Sequence, residues 1–587
     1  FYLPHGTNYM AANRCEKIGL RFLFVRFFLL LCLVGIVIRS FDIQILQGHT
    51  LRKKAENTYV RRITIQGDRG LILDRHLNKL GASIEAPNIA ADPTQIKDAR
   101  QAAGQLVKVL GGSRTEMEKK LSQKRRFVLL ASRVAPAKAD EVKKLNIAGI
   151  YTPDNSKRFY PNRRLAAQVI GFTGKDDHGL EGLEFSYNNF LKGRTLKTEE
   201  YRDGQGTVFD TGKNKRDGLK GDTIVLTLDK KIQYFSEQAL EQAVKEHRGK
   251  SGIALVMQPA TGELLAVAHY PEFNPNNYGD FSRDRYRNRA MADAFEPGSI
   301  MKVITVASAI ERGMSATTVI NCEKGRYRIG RSVIHDTHPH EYLTPGQIVK
   351  VSSNIGAAKI AQDIGPKVMH YYLNAFGFGT KTGINCPAES SGVLLPLNRW
   401  TNIDAVAISF GQGISVTALQ LVSAVSAIAN GGKLMKPLLV KKILSNSGEV
   451  IQENEPCVVR QVISAKTAGI VKEMMATVVQ KEGTGTMAAI PGYQVCGKTS
   501  TAQKAAEDKK GYSNSSFTAA FAGFAPFDNP ALAILVVVDE PQPNHYGGIV
   551  AAPAFKDIMS RSFNYLNIAP STDMVAALPR ERSHAVD

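Results

Sequence analysis

Glu296-Pro-Gly-Ser-Ile-Met-Lys302 is the stretch on which the reading of this chain turns. It holds the only Ser-x-x-Lys tetrapeptide in the sequence. On a helix, residues three apart share a face, so the Ser299 hydroxyl and the Lys302 amine can meet. Pro297-Gly298 puts Ser299 in the first turn, where free backbone N–H groups and the positive dipole end favour an anionic intermediate. A serine hydroxyl needs a base to become a nucleophile. Burial disfavours a lysine's charged form, so Lys302 can be that base. Alone the motif is weak, because about two such tetrapeptides arise by chance in a chain this long.

Two further elements give it weight. Ser352-Ser-Asn354 opens a helix-like run, Ile355 to Ile364. A hydroxyl and an amide two residues apart can relay a proton and hold a substrate carbonyl, or simply cap the helix. A third element, Lys-Thr-Gly, accompanies these two in penicillin-interactive enzymes. The literal copy, Lys381-Thr-Gly383, lies in loop context between Phe376-Gly-Phe-Gly379 and Pro387. The imperfect copy, Lys498-Thr-Ser-Thr501, follows Tyr493-Gln-Val-Cys496, whose alternation reads as a strand. A strand beside the nucleophile can offer a lysine charge, hydroxyls and a backbone N–H, so Lys498 is chosen. Gly492 to Thr499 also fits the phosphate-binding loop pattern, which requires a strand before it and a helix opening on it.

The motifs resemble those of class B penicillin-binding proteins, most closely the division-specific transpeptidases of the FtsI type. The similarity runs from about residue 20 to 563. It includes Arg69-Gly-Leu-Ile-Leu-Asp-Arg75, Arg158-Phe-Tyr-Pro161, Gly179-Leu-Glu-Gly-Leu-Glu184, Asn288-Arg-Ala290, Phe410-Gly-Gln-Gly413 and Tyr546-Gly-Gly548. The first three are typical of the family's non-catalytic pedestal. The resemblance implies a D,D-transpeptidase acting on peptidoglycan stem peptides through a Ser299 acyl-enzyme. Lys302 would be the base, Ser352 and Asn354 the proton relay, and Lys498 with Thr499, Ser500 and Thr501 the substrate-binding strand. Backbone N–H groups of Ser299 and Thr501 would form the oxyanion hole. It further implies inhibition by β-lactams, no cofactor or metal, a membrane glycosyltransferase partner of the FtsW type with other division proteins, and a septal location. Ser500 stands where the family often has glycine, which bears on substrate and antibiotic preference. The alternatives are a β-lactam sensor or division scaffold that keeps the fold without catalysis, and a P-loop ATPase at 492–499.

The rest of the chain is read around these motifs. With 587 residues, 43% hydrophobic and 22% charged, the composition is that of globular domains. The net charge of +21 has no nucleic-acid-binding motif beside it and suits an anionic membrane surface. Six scattered cysteines form no metal-type pair, and His335-Asp-Thr-His-Pro-His340 reads as a polar loop. Phe22 to Ile38 is apolar except for Arg26, long enough to cross a bilayer as an uncleaved signal anchor. Arg14, Lys17, Arg21 and Arg26 lie on or before its N-terminal side and Arg39, Arg52, Lys53 and Lys54 follow, so charge does not set its orientation. Gly252–Gln258 and Glu263–His269 read as a hairpin, Ser299–Arg312 and Ser415–Ala429 as buried helices, and Ala531–Val538 as a buried strand. The expected fold class is α+β. Its parts are a cytoplasmic segment (1–21), an anchor and juxtamembrane stretch (22–46), a mixed dimerisation-type pedestal (47–220), a transpeptidase domain with an antiparallel sheet covered by helices (221–565), and a polar tail (566–587).

Overall fold

The computed structural model describes residues 9–201, 218–330, 332–384, 386–401, 403–506 and 511–570. The first eight residues, residues 202–217 and the tail beyond Pro570 lie outside the described residues. The chain divides into two compact units, residues 1–67 with 194–219, and 68–193 with 220–587.

In the first unit a helix runs from Tyr9 to Phe41 and continues through a π-helical turn, Asp42–Leu46. From Leu20 to Leu46 it is long and apolar enough to cross a membrane, and none of its apolar window is buried. A second helix, Gly48–Tyr59, leads into Val60–Gln66, which pairs antiparallel with Thr195–Tyr201.

The second unit is organised around a five-stranded antiparallel sheet. Its strands are β1 (Ser251–Met257), β2 (Leu264–Tyr270), β3 (Cys496–Ala505), β4 (Tyr512–Ala525) and β5 (Leu532–Asp539), in the order β2-β1-β5-β4-β3. Alternate residues point to opposite faces, and both faces are dry. Ala254, Val256, Ile534 and Val536 join a core with α1 (Lys230–Glu246) and α5 (Ala552–Leu566). Ile253, Leu255, Leu535 and Val537 join a larger core with α2 (Met301–Glu311), α3 (Asn354–Ala375) and α4 (Ala418–Ala429). Burying each such Val, Leu or Ile side chain contributes about 1.5–3 kcal/mol, so apolar packing on both faces holds the sheet in place. The hairpin and the strand near 531–538 form as the sequence indicates. Helix α4 starts later than expected: Val416–Thr417 pairs with Ala294–Phe295, and a capping box between Thr417 and Gln420 begins the helix at Ala418.

A six-stranded sheet spans residue 220. Ile72–Leu73, Lys79–Glu85 and Ser156–Phe159 join Thr223–Leu226, Val440–Leu444 and Val450–Glu453. Beside it, the three pedestal motifs converge on one carboxylate. Glu184 accepts from Arg69 Nε (2.5 Å), Arg158 Nε (2.6 Å) and the Tyr160 hydroxyl (3.2 Å). Arg69 also donates to the Glu184 carbonyl and to Asn188, and Arg158 to the Gly70 carbonyl. Glu184, Arg69 and Arg158 are all buried. Removing Glu184 strands two buried guanidinium groups, which costs about 3–5 kcal/mol. Denaturant unfolding of the detergent-solubilised chain should therefore show a loss of that size in Glu184→Ala. Asp140→Ala, which breaks an exposed pair with Lys143, should change stability by about 1 kcal/mol or less.

Candidate active site

Ser299 lies in a 3₁₀ turn, Gly298–Ile300, that feeds helix α2. Gly298 has φ +54°, and a Cβ there would meet Ser500 Oγ at 2.4 Å, so only glycine lets the turn approach strand β3. A second glycine completes this approach: Gly298 N donates to the Gly411 carbonyl, and a Cβ on Gly411 would lie 2.1 Å from the Gly298 carbonyl. Ser299 opens onto a cleft of about 430 Å³ whose walls include His335, Asn354, Phe410, Thr501 and Gln503. Among the described residues its hydroxyl makes no hydrogen bond.

Lys302, one helical turn on, is fully buried. It does not bond Ser299 directly as the helical spacing suggests. Its Nζ donates instead to the Ser352 carbonyl (2.5 Å) and to Ser352 Oγ (3.0 Å). Ser352 presents both oxygens because its backbone is left-handed, φ +64°, at the end of the helix Pro345–Val351. A non-glycine residue in that region is strained and must be held by its surroundings. The capping role falls to the next residue: Ser353 Oγ accepts from Gly356 N at the start of α3. Asn354 lines the cleft and donates from Nδ2 to the His335 carbonyl.

Strand β3 carries the imperfect motif. It begins at Cys496, so Tyr493 to Val495 approach it as a loop and Lys498 to Thr501 are themselves the strand. β3 pairs only with β4, and an edge strand leaves alternate N–H groups without a strand partner. Side chains alternate along it. Lys498 is fully buried, and its Nζ donates to Ser352 Oγ at 3.0 Å. Ser500 donates from Oγ to the Pro297 carbonyl at 2.7 Å. Ser500 thus turns its side chain to the Gly298–Ile300 turn, where a small group is required and a hydroxyl finds an acceptor. The Thr499 hydroxyl bonds Thr484, and Thr501 Oγ1 accepts from Gly547 N in Tyr546-Gly-Gly548.

The electrostatics follow from burial. Desolvation lowers the Lys302 pKa to about 7, partly offset by the negative charge of Asp336. Desolvation and then the Lys302 charge push Lys498 well below the ordinary lysine value. Two ammonium groups that share one hydroxyl repel each other, so a neutral amine at this pair is accessible near neutral pH. A neutral amine can take a proton.

Other sequence features find places away from the catalytic pair. Lys381-Thr-Gly383 is a loop clamped by Glu389, which accepts from the Thr382 N–H and hydroxyl, and it is not part of the cleft wall. Gly492 to Thr499 runs into an edge strand with no helix behind it, so the phosphate-loop geometry is not formed. No group of three or more His, Cys, Asp or Glu among the described residues is placed to hold a metal ion. Two site residues have no motif to mark them. Glu296 Oε1 accepts from Gly413 N (2.9 Å) and the Tyr512 hydroxyl (3.1 Å), joining three segments around Ser299, and burial raises its pKa. Asp336 accepts from the start of α3.

Residues 252–560 match the penicillin-binding protein transpeptidase domain, and residues 64–226 the penicillin-binding protein dimerisation domain. The chain is 32% identical over 551 residues to Peptidoglycan D,D-transpeptidase FtsI of Escherichia coli K12, covering 92% of this chain and 91% of that protein. It is 33% identical over 573 residues to Stage V sporulation protein D of Bacillus subtilis 168, covering 94% and 87%. The crystal structure of penicillin-binding protein 3 from Mycobacterium tuberculosis with aztreonam superposes with a TM-score of 0.69 at 28% identity, covering 87% of this chain and 99% of that one. Matched along both modules and nearly end to end with these relatives, the chain belongs to the class B penicillin-binding proteins.

Proposed function

We propose that this chain is a membrane-anchored peptidoglycan D,D-transpeptidase that works through a Ser299 acyl-enzyme. The observation that carries this reading is the Ser352 hydroxyl, 3.0 Å from both Lys302 Nζ and Lys498 Nζ, beside the cleft onto which Ser299 opens. Ser299 Oγ attacks the carbonyl between the two D-alanines of a stem peptide, and its proton passes to neutral Lys302. Backbone N–H groups of Ser299 and Thr501 hold the oxyanion, a contribution of about 10²–10³ in rate per donor. The C–N bond breaks, and the terminal D-alanine leaves with a proton relayed through Ser352. An amine from a second stem peptide then attacks the ester. Its proton returns along the same path to Ser299, and a new amide cross-link remains. Asn354 positions the donor peptide from the cleft wall. Lys498, Thr499 and Thr501 meet its terminal carboxylate, with Ser500 contributing backbone. A β-lactam enters as a mimic of this substrate.

The division role rests on the likeness to FtsI, and the exposed apolar helix supports a single-pass anchor in the cytoplasmic membrane with the catalytic module outside. The modules we assign are an anchor (22–46), a pedestal (47–220) and a transpeptidase domain (221–565). A glycan polymerase of the FtsW type is the partner this activity requires, because cross-linking needs newly made strands. A fluorescent fusion concentrated at the division site would agree with the septal assignment, and uniform peripheral signal would contradict it.

Fluorescent penicillin tests the chemistry. The detergent-solubilised chain should form a denaturation-stable adduct. Ser299→Ala and Lys302→Ala should lose it while folding persists, and Lys381→Ala should label like the parent. Labelling that survives in Ser299→Ala refutes the nucleophile. The pH profile has a definite sign. Lys302 accepts a proton only when neutral, so the acylation rate constant should be full above its pKa of about 7 and fall as pH drops through that value. Well below it, the fall should approach about tenfold per pH unit. A rate constant that stays flat through this range removes Lys302 as the base.

A further inference from the structure

Asp336 belongs to none of the three motifs and lies 16 residues before Ser352 (352 − 336). Its carboxylate nonetheless makes two bonds to the Ser352-Ser-Asn354 turn and a third to Ile355, the next residue. Oδ1 accepts from Asn354 N (2.5 Å) and Ile355 N (3.0 Å), and Oδ2 accepts from the Ser353 hydroxyl (2.5 Å). These N–H groups are the unpaired donors of the first turn of α3, where the helix dipole favours a negative charge. Asp336 directly follows the strand Ser332–His335, which forms one wall of the cleft. The same wall is tied to the turn a second time, by Asn354 Nδ2 donating to the His335 carbonyl at 2.9 Å.

The turn needs such a tether. Ser352 is held at φ +64°, and that conformation aims its carbonyl and hydroxyl at Lys302 and its hydroxyl at Lys498. A shift of the turn would break the meeting of both lysines at one oxygen, and a misplacement of about 1 Å can cost 10²-fold in rate. We infer that Asp336 is a positioning residue for acylation, which locks the Ser352–Asn354 turn to the cleft wall so that the Ser352 hydroxyl stands between Lys302 and Lys498. This rests on the Ser299 acyl-enzyme reading.

Charge gives the role a signature. The ionisable groups facing Lys302 are Lys498 from β3 and Asp336 from the loop. Those facing Asp336 are Lys302 and the Cys322 thiol, to which Ser353 also bonds. The Asp336 carboxylate favours the Lys302 cation, so its loss lowers the Lys302 pKa. The acid limb of the acylation profile must then move to lower pH. A merely structural role, in which Asp336 stabilises the fold without acting on the lysine pair, would lower the folded fraction and leave the limb in place.

The test measures the acylation rate constant of the full-length detergent-solubilised chain with fluorescent penicillin across the acid limb, for the parent, Asp336→Asn and Asp336→Ala. Asparagine still offers an oxygen to the Asn354 and Ile355 N–H groups, so it keeps the cap without the charge. The expected result is a limb displaced to lower pH in both variants. The plateau rate should be reduced by about tenfold or more in Asp336→Ala and less in Asp336→Asn. An Asp336→Ala rate equal to the parent's overturns the inference, and so does a reduced rate with an unmoved limb. If Asp336→Ala does not fold, the limb position in Asp336→Asn decides alone. A parent chain that forms no adduct at Ser299 would instead defeat the acyl-enzyme reading itself.

Discussion

The Ser352 hydroxyl stands 3.0 Å from the amines of two fully buried lysines that come from different ends of the fold, Lys302 on helix α2 and Lys498 on strand β3. Burying two ammonium groups together is costly, and the cost is met by lowering their proton affinity and by donating to the few oxygens available. The surrounding architecture satisfies this constraint. Helix α2 begins where the Gly298 turn touches β3, the Ser500 hydroxyl bonds the Pro297 carbonyl, and Gly411 admits the same turn from the other side. Each contact fixes the distance between α2 and β3, and hence the distance between the two lysines.

The sheet makes that geometry rigid. Strand β3 is held by β4, and β4 by β5, whose residues are buried on both faces. An edge strand backed by such a layer can present N–H groups and hydroxyls to the cleft without moving. Within residues 68–193 one buried glutamate, Glu184, gathers Arg69, Arg158 and Tyr160. Arg69, Arg158 with Tyr160, and Glu184, which come from three separate segments, therefore form one polar knot.

Much of this was legible in the sequence, for reasons that differ by residue. Two-residue alternation and glycine punctuation mark the β1–β2 hairpin and β5, because buried strands leave that pattern. The order and spacing of the motifs single out Ser299, Ser352 and Lys498, and strand against loop context favours Lys498 over Lys381, which the structure places in a strand and a loop respectively. The partner of Lys302 was not legible. Helical spacing pairs it with Ser299, whereas the left-handed backbone at Ser352, which no local pattern announces, draws its amine away. The direction of the Ser500 side chain was hidden because it depends on the register of β3 against the nucleophile's turn. Glu296 and Asp336 act across 117 and 18 residues, to Gly413 and Asn354, and such long-range bonds leave no periodic trace.

One oxygen joins the two lysines, and replacing Ser352 by alanine removes it with little change in volume. The decisive measurement is the acylation rate constant of Ser352→Ala with fluorescent penicillin, taken alongside its unfolding transition. Loss of a proton relay predicts a rate lower by about 10²–10⁴ with the unfolding transition preserved. A folded Ser352→Ala chain that acylates at the parent rate would contradict the account.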